Sequence, residues 1–269
     1  MSQSPPELVA ISVGNTRTRI GLFRAGKLEQ SEAVTNDNLD ELVSAVGILP
    51  ITNPSTPVVM ASVNSPVADR IATALEPTLK SRGSELYRFG EDLEIPIENT
   101  LEDDSTVGQD RLLNALGSYS RAKQACVVVD CGTATVVDFV DGEGIFQGGA
   151  IAPGLNTMLR ALHQHTAALP QVAFEPLPDT EPFGKDTRRA MLLGVQSAIR
   201  GMVRVLTERY AAYYEAYPQI IATGGDARAL FENDDLVEHI VPDLTLLGIE
   251  AACRIQLEQE DPEHEDPDA

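Results

Sequence analysis

Residues 125–140 read ACVVVDCGTATVVDFV: an apolar run, a turn of small hydroxyl-bearing residues, and a second apolar run. Short apolar runs bounded by such turn residues predict two strands joined by a tight bend, Ala125–Val129 and Val136–Val140 around Asp130-Cys131-Gly132-Thr133-Ala134-Thr135. Residues 8–23, LVAISVGNTRTRIGLF, repeat the layout, with Gly14-Asn15-Thr16 between Leu8–Val13 and Ile20–Phe23. Each second strand runs into a Gly-bearing turn, Ala25-Gly26-Lys27 or Asp141-Gly142-Glu143-Gly144, and then into another strand. Ser12 and Asp130 are equivalent positions about 118 residues apart, so the chain is read as an internal duplication. Two related α/β domains are expected, 1–123 and 124–257, followed by an acidic disordered tail over 258–269, whose twelve residues hold seven carboxylates and two prolines.

Working outward, Thr56–Ser62 reads as a strand, and Asp40–Gly47 and Pro66–Arg82 carry helical spacing. The acidic stretch Gly90–Thr106 breaks periodicity and is expected to be a surface loop. Asp110 precedes Leu112, Leu113, Ala115, Leu116 and Tyr119, a spacing that predicts a helix with Asp110 in its first turn. A longer helix is expected over Asp186–Tyr217, thin along Gly194, Ala198 and Gly201. Tyr210, Tyr213, Tyr214 and Tyr217 read as its packing flank.

Composition narrows the function. With 269 residues, 43% of them hydrophobic, the chain can bury a real core. A formal net charge of −21 removes the broad basic field needed by nucleic-acid or membrane-surface binders, so neither is expected as a partner. Cys126, Cys131 and Cys253 are odd in number and form no C-x-x-C pair, which argues against a disulfide scaffold or zinc knuckle. With no leader-like or membrane-spanning apolar stretch, the expected location is cytoplasmic. His163 and His165 lack partners at ligand spacing and are not read as a metal site.

The chemistry concentrates at the turns. A Gly-permitted bend at a strand end directs backbone N–H groups and hydroxyls outward, where they can hold phosphate oxygens. One such turn could equally be hairpin punctuation; its repetition in a duplicated chain favours a nucleotide. Ala222-Thr223-Gly224-Gly225-Asp226 is a third turn, suited either to a base or ribose or to a plain strand-to-helix connection. In Val107-Gly108-Gln109-Asp110-Arg111, Arg111 could hold a substrate carboxylate and Asp110 could accept a hydroxyl proton, or Asp110 could simply cap the helix. The helix dipole would keep Asp110 ionised and only weakly basic.

Seven stretches, VGNTRTRIGLF, VGQDRLLNA, VVDCGTATVVDFV, GGAIAPGL, TAALPQV, IATGGDA and PDLTLLGI, together make the chain resemble the type III pantothenate kinases of the acetate and sugar kinase/Hsp70/actin superfamily, from Leu8 to Ala252. The resemblance implies an α/β fold of two duplicated ribonuclease H-like domains with the nucleotide in the cleft between them. It implies ATP-dependent phosphorylation of pantothenate to 4′-phosphopantothenate, in a homodimer that needs Mg2+ and a monovalent cation, K+ or NH4+. Carried over by position, Ser12, Val13, Gly14, Asn15, Thr16, Arg17, Thr18 and Arg19 form the first phosphate loop, and Thr133 is a nucleotide contact in the second. Gly108, Gln109, Asp110 and Arg111 form the pantothenate block with Asp110 as catalytic base; Thr187 is a further substrate contact and Asp130 the monovalent-cation ligand.

Two positions depart from the family pattern. Ser12 stands where the first loop normally begins with Asp, and Leu101 where a Tyr normally precedes the substrate block. Ser12 keeps open a weak or inactive homologue acting as a regulatory accessory protein, and Leu101 a different phosphotransferase or phosphatase on the same fold.

Overall fold

The computed structural model describes residues 7–178, 180, 182–232 and 234–260. Two compact units appear, and their sheets share one topology. In the first, β1 (Glu7–Val13), β2 (Arg17–Arg24), β3 (Lys27–Thr35), β4 (Val58–Ser62) and β5 (Leu86–Arg88) lie in the order β3-β2-β1-β4-β5. In the second, β6 (Cys126–Cys131), β7 (Ala134–Val140), β8 (Phe146–Pro153), β9 (Gln219–Thr223) and β10 (His239–Ile240) lie in the order β10-β9-β6-β7-β8. Each sheet pairs its first three strands antiparallel and its remaining neighbours parallel. The duplication read from the two Gly turns is thus a repeat of strand order and direction.

Strand β1 lacks polar alternation because both of its faces are covered. Val9, Ile11 and Val13 pack on α1 (Leu39–Ile48) and α2 (Ser65–Arg82); Leu8 and Ala10 pack with residues of α3 (Gln109–Ala122) and α7 (Leu244–Glu260). In the second unit Val127, Val129 and Cys131 share a core with α4 (Leu155–Gln164), α5 (Thr187–Tyr214) and α6 (Ala227–Phe231). Local chemistry sets the helix ends. Asn38 and Asn64 accept from backbone N–H groups at the starts of α1 and α2, and Gly83, at φ +72°, closes α2 in a conformation that favours glycine.

A chain cut at 123 is too simple. Residues 102–121 and 243–260 cluster with the first unit, and 99–101 with the second. The closing helix α7 returns because Leu246, Ile249 and Ala252 complete the apolar face of β1, a pairing that periodicity within either segment does not reveal. Of the expected tail, 258–260 form the last residues of α7, while 261–269 lie outside the described residues. Helix α5 stops at Tyr214 rather than Tyr217, with Glu215 at φ +58°. The rings of Tyr210 and Tyr214 pack with their centroids 5.5 and 5.4 Å from that of Phe139, tilted and edge-on respectively, as a packing flank should, but Tyr213 and Tyr217 are exposed.

One buried carboxylate anchors the start of the first sheet. Glu7, 4% exposed, accepts from the Thr52 and Asn53 N–H groups, the Thr56 hydroxyl at 2.6 Å and Arg24 Nε at 2.8 Å. Burial acts to raise its pKa, but the bonds from Thr56, Asn53, Arg24 and Thr52 outweigh it and hold the group at about 2.

Candidate active site

The first turn is held by its own backbone and by one distant side chain. Gly14 N–H donates to Arg17 O at 3.0 Å. Asn36 donates through Nδ2 to Gly14 O and accepts from the Thr18 hydroxyl, both at 2.9 Å. The result is a fixed bend with Asn15, Thr16 and Arg17 exposed at its tip. Val13 and Thr18 are buried, so any ligand contact they make is through the backbone. Arg19, opposite Ser12 in the β1–β2 register, is tied to Asp243 at 2.6 Å, and Ser31 donates to the same carboxylate at 3.0 Å. Of the two loop guanidiniums, Arg17 is the one presented at the tip. Nothing near position 36 or 243 in the sequence announces these ties.

The substrate block sits at the carboxyl ends of the parallel strands, where open α/β sheets place their ligands. Val13 pairs with Ser62 across β1 and β4, and Val63 N–H donates to Val13 O at 3.0 Å. Gln109 takes the Ser62 N–H on Oε1 at 2.8 Å and donates through Nε2 to Phe89 O at 2.7 Å. The first turn of α3 is therefore pinned beside the ends of β4 and β5. Asp110 Oδ1 accepts the Arg111 N–H at 2.8 Å. A Cβ on Gly108 would lie 2.6 Å from that oxygen, so glycine at 108 lets the carboxylate fold back over the helix start. Burial raises the Asp110 pKa, only partly offset by the Arg111 N–H and charge. The weak, dipole-depressed base expected from sequence is thus corrected: desolvation makes Asp110 a better proton acceptor than an exposed aspartate.

In the second unit the corresponding turn is built on glycines. A Cβ on Gly154 would meet Gly132 O at 2.0 Å, and Gly154 N–H donates to Thr133 O at 3.0 Å. The Thr157 hydroxyl donates to the same Thr133 carbonyl at 2.8 Å, which sets the turn against the start of α4 with Thr133 exposed. The third turn seats on the end of β6. Gly224 has φ +89° and would place a Cβ 2.5 Å from Asp130 Oδ1, while Asp226 N–H donates to Cys131 O at 3.0 Å. Asp130 and Asp226 add to burial in pushing the Cys131 thiol pKa up. Asp130, Thr133 and the Gly224 turn are thus gathered at one sheet end of this unit. Thr187 is exposed at the first position of α5, where Asp186 caps the helix. Leu101 packs on the second unit, with Cδ2 3.1 Å from a Cβ built on Gly148. Among the described residues no group of three or more His, Cys, Asp and Glu side chains is placed to hold a metal ion.

The type III pantothenate kinase family model matches residues 8–209. Among relatives of that name, the protein of Rhodospirillum rubrum is 34% identical over 255 residues, 90% of this chain and 96% of its own. The one from Dehalococcoides mccartyi strain 195 is 31% identical, covering 90% and 95%. Among solved structures, a Campylobacter jejuni protein provisionally described as a Baf family transcriptional activator superposes with a TM-score of 0.60 at 18% identity, covering 94% of this chain and all of its own. The activator of 2-hydroxyisocaproyl-CoA dehydratase from Clostridium difficile, solved with bound ADPNP, gives 0.50 at 12% identity, covering 98% and 100%. These two likenesses concern the fold alone. The assignment beyond the fold comes from the family model and from full-length relatives at these identities, which show that the chain belongs to the type III pantothenate kinase family.

Proposed function

We propose that this chain transfers the γ-phosphoryl group of ATP to the primary hydroxyl of pantothenate, giving 4′-phosphopantothenate and ADP, the first step of coenzyme A biosynthesis. The observation that carries the reading is the half-buried Asp110, held in a Gly-Gln-Asp-Arg turn with its pKa raised by desolvation. Asp110 takes the proton of the hydroxyl as its oxygen bonds to phosphorus and the bond to ADP breaks. Arg111 supplies a fixed charge for the pantothenate carboxylate, and Thr187 a hydroxyl for the same substrate. Gly14–Arg17 and Gly132–Thr133 supply backbone donors and hydroxyls for phosphate oxygens. A magnesium ion, by binding phosphate oxygens, would neutralise charge that develops during transfer. Ser12 would offer a neutral hydroxyl to a water of that ion. Purified protein should convert pantothenate to its phosphate with ATP and magnesium; no phosphorylation of pantothenate under those conditions refutes the reading.

Asp130 is the proposed ligand for K+ or NH4+, since a carboxylate at the end of a buried strand is costly unless a cation or donors offset it. Asp130→Ala should abolish or weaken stimulation by K+ while the fold is retained; an unchanged K+ dependence refutes the assignment. Ser12→Asp should lower the magnesium concentration at half-saturation, because a charged acceptor holds metal-bound water more tightly than a hydroxyl does. The Arg19–Asp243 pair leaves Arg19 already satisfied, which favours this outcome over capture of the new carboxylate by Arg19. An unchanged or higher half-saturation counts against it. A homodimer is also proposed, through the exposed face of α5 where a Cβ on Gly194 or Gly201 would meet nothing within 4 Å. No helix among the described residues is long and apolar enough to cross a membrane. A cytoplasmic location is proposed from the three free cysteines, which suit a reducing compartment.

A further inference from the structure

Gln109 belongs to the substrate block by position, yet both ends of its carboxamide are engaged by backbone. Oε1 takes the Ser62 N–H at 2.8 Å and Nε2 gives to Phe89 O at 2.7 Å, so one side chain spans the ends of the neighbouring parallel strands β4 and β5. Gly90 is shaped around it: its φ is +83°, and a Cβ there would stand 2.9 Å from Nε2. The amide lies on the wall of a cavity of about 190 Å³ shared with Ser62, Ser65, Arg88 and Glu91. The next residue along the chain is Asp110, whose carboxylate folds back on the same helical turn.

We propose that Gln109 is a positioning residue: by bridging the ends of β4 and β5 it fixes the rotation of the first turn of α3, and through it the place of the Asp110 carboxylate against the acceptor hydroxyl. This rests on Asp110 being the base. The geometry gives the reason for glutamine. Only a side chain that both accepts and donates at that length satisfies an N–H on one strand end and a carbonyl on the other. Loss of either bond leaves a backbone group unpaired and the turn free to shift, and misplacement of a reacting group by about 1 Å can cost on the order of 100-fold in rate.

Two variants test it. Gln109→Ala removes both bonds; Gln109→Met removes them while keeping most of the volume, and so separates hydrogen bonding from packing. Both should lower kcat about 10- to 100-fold, the range typical of outer supports of a reactive group, with the KM for ATP essentially unchanged. In both, hydrogen exchange at the Ser62 amide should accelerate, and the acid limb of the kcat/KM profile should move down toward the ordinary carboxylate range as water reaches Asp110. The charged groups around the turn are Arg111 on α3 and Arg88 and Glu91 on the cavity wall, Arg88 being paired with Asp69 and Glu91. None is altered in either variant, so the limb reports Asp110. A wild-type kcat in Gln109→Met, or a lowered kcat with the acid limb and Ser62 exchange unmoved, overturns the proposal. Asp110→Asn measured alongside keeps the two readings apart. Near-normal turnover there removes Asp110 as the base, whereas an inactive Asp110→Asn beside a normal Gln109→Met overturns the positioning role alone.

Discussion

Replacing Asp110 with Asn should lower turnover by about two to four powers of ten, the usual loss when a positioned general base is removed. The amide oxygen can still accept the Arg111 N–H, so the local fold should persist and ATP affinity should change little. The stability effect has the opposite sign. Burial raises the Asp110 pKa in the folded protein, so the folded state holds that proton more tightly than the unfolded chain does. The ionised group therefore costs stability, a cost that grows as pH rises through the folded value. A neutral Asn avoids it, and at pH 7 the variant should unfold at the same temperature as the parent or higher. Calorimetry with a steady-state assay checks both halves. Turnover close to wild type would remove Asp110 from the chemistry; a clear drop in the unfolding temperature would mean that the carboxylate serves the fold.

The second large effect concerns stability alone. Glu7→Ala should destabilise the first unit by roughly 2–4 kcal/mol, since it leaves the Thr52 and Asn53 N–H groups without their acceptor, deprives the Thr56 hydroxyl of one of its two acceptors and leaves Arg24 with Glu29 as its remaining carboxylate. For a protein of this size that corresponds to a fall on the order of 10 °C in the unfolding midpoint. The pH dependence follows from the depressed pKa of about 2. A carboxylate whose folded pKa lies below its unfolded value stabilises the fold above the unfolded value, near 4.5, and that stabilisation is lost as pH falls through the folded one. The parent should therefore lose stability between about pH 4.5 and 2, and Glu7→Gln should show a shallower loss over the same window. Equal acid sensitivity in parent and Gln variant would show that other carboxylates dominate acid unfolding.

What could be read from the sequence is what short stretches encode. The paired apolar runs around Gly14 and Gly132 gave the strands, their hairpins and the duplication, because both faces of β1 and of β6 are buried and leave continuous apolar text. The Asp110 helix was equally plain from its spacing. The parts that escaped depend on residues far apart in the chain. Asn36 locks a turn 22 residues before it, Gln109 bridges to Ser62 and Phe89, and Arg19 meets Asp243 across 224 residues. A lone polar residue carries no periodicity, so nothing local distinguishes Asn36 from the exposed polar residues beside it or announces that Glu7 is buried. The basicity of Asp110 was misjudged for a related reason: the helix dipole is visible in sequence, but the surrounding bulk that desolvates the carboxylate is not.

The return of α7 to the first sheet also bears on how the protein is made. Leu8 and Ala10 leave the ribosome early, yet Leu246, Ile249 and Ala252, which cover the same face, follow roughly 240 residues later. At about 5–20 residues per second, that apolar face waits on the order of 10–50 s for its partner. The second unit, contiguous from Ala122 to Pro242 apart from the short segment 99–101, has by then been fully synthesised. The nascent chain thus completes its later half first, and the half that carries Asp110 is sealed only when the last helix emerges.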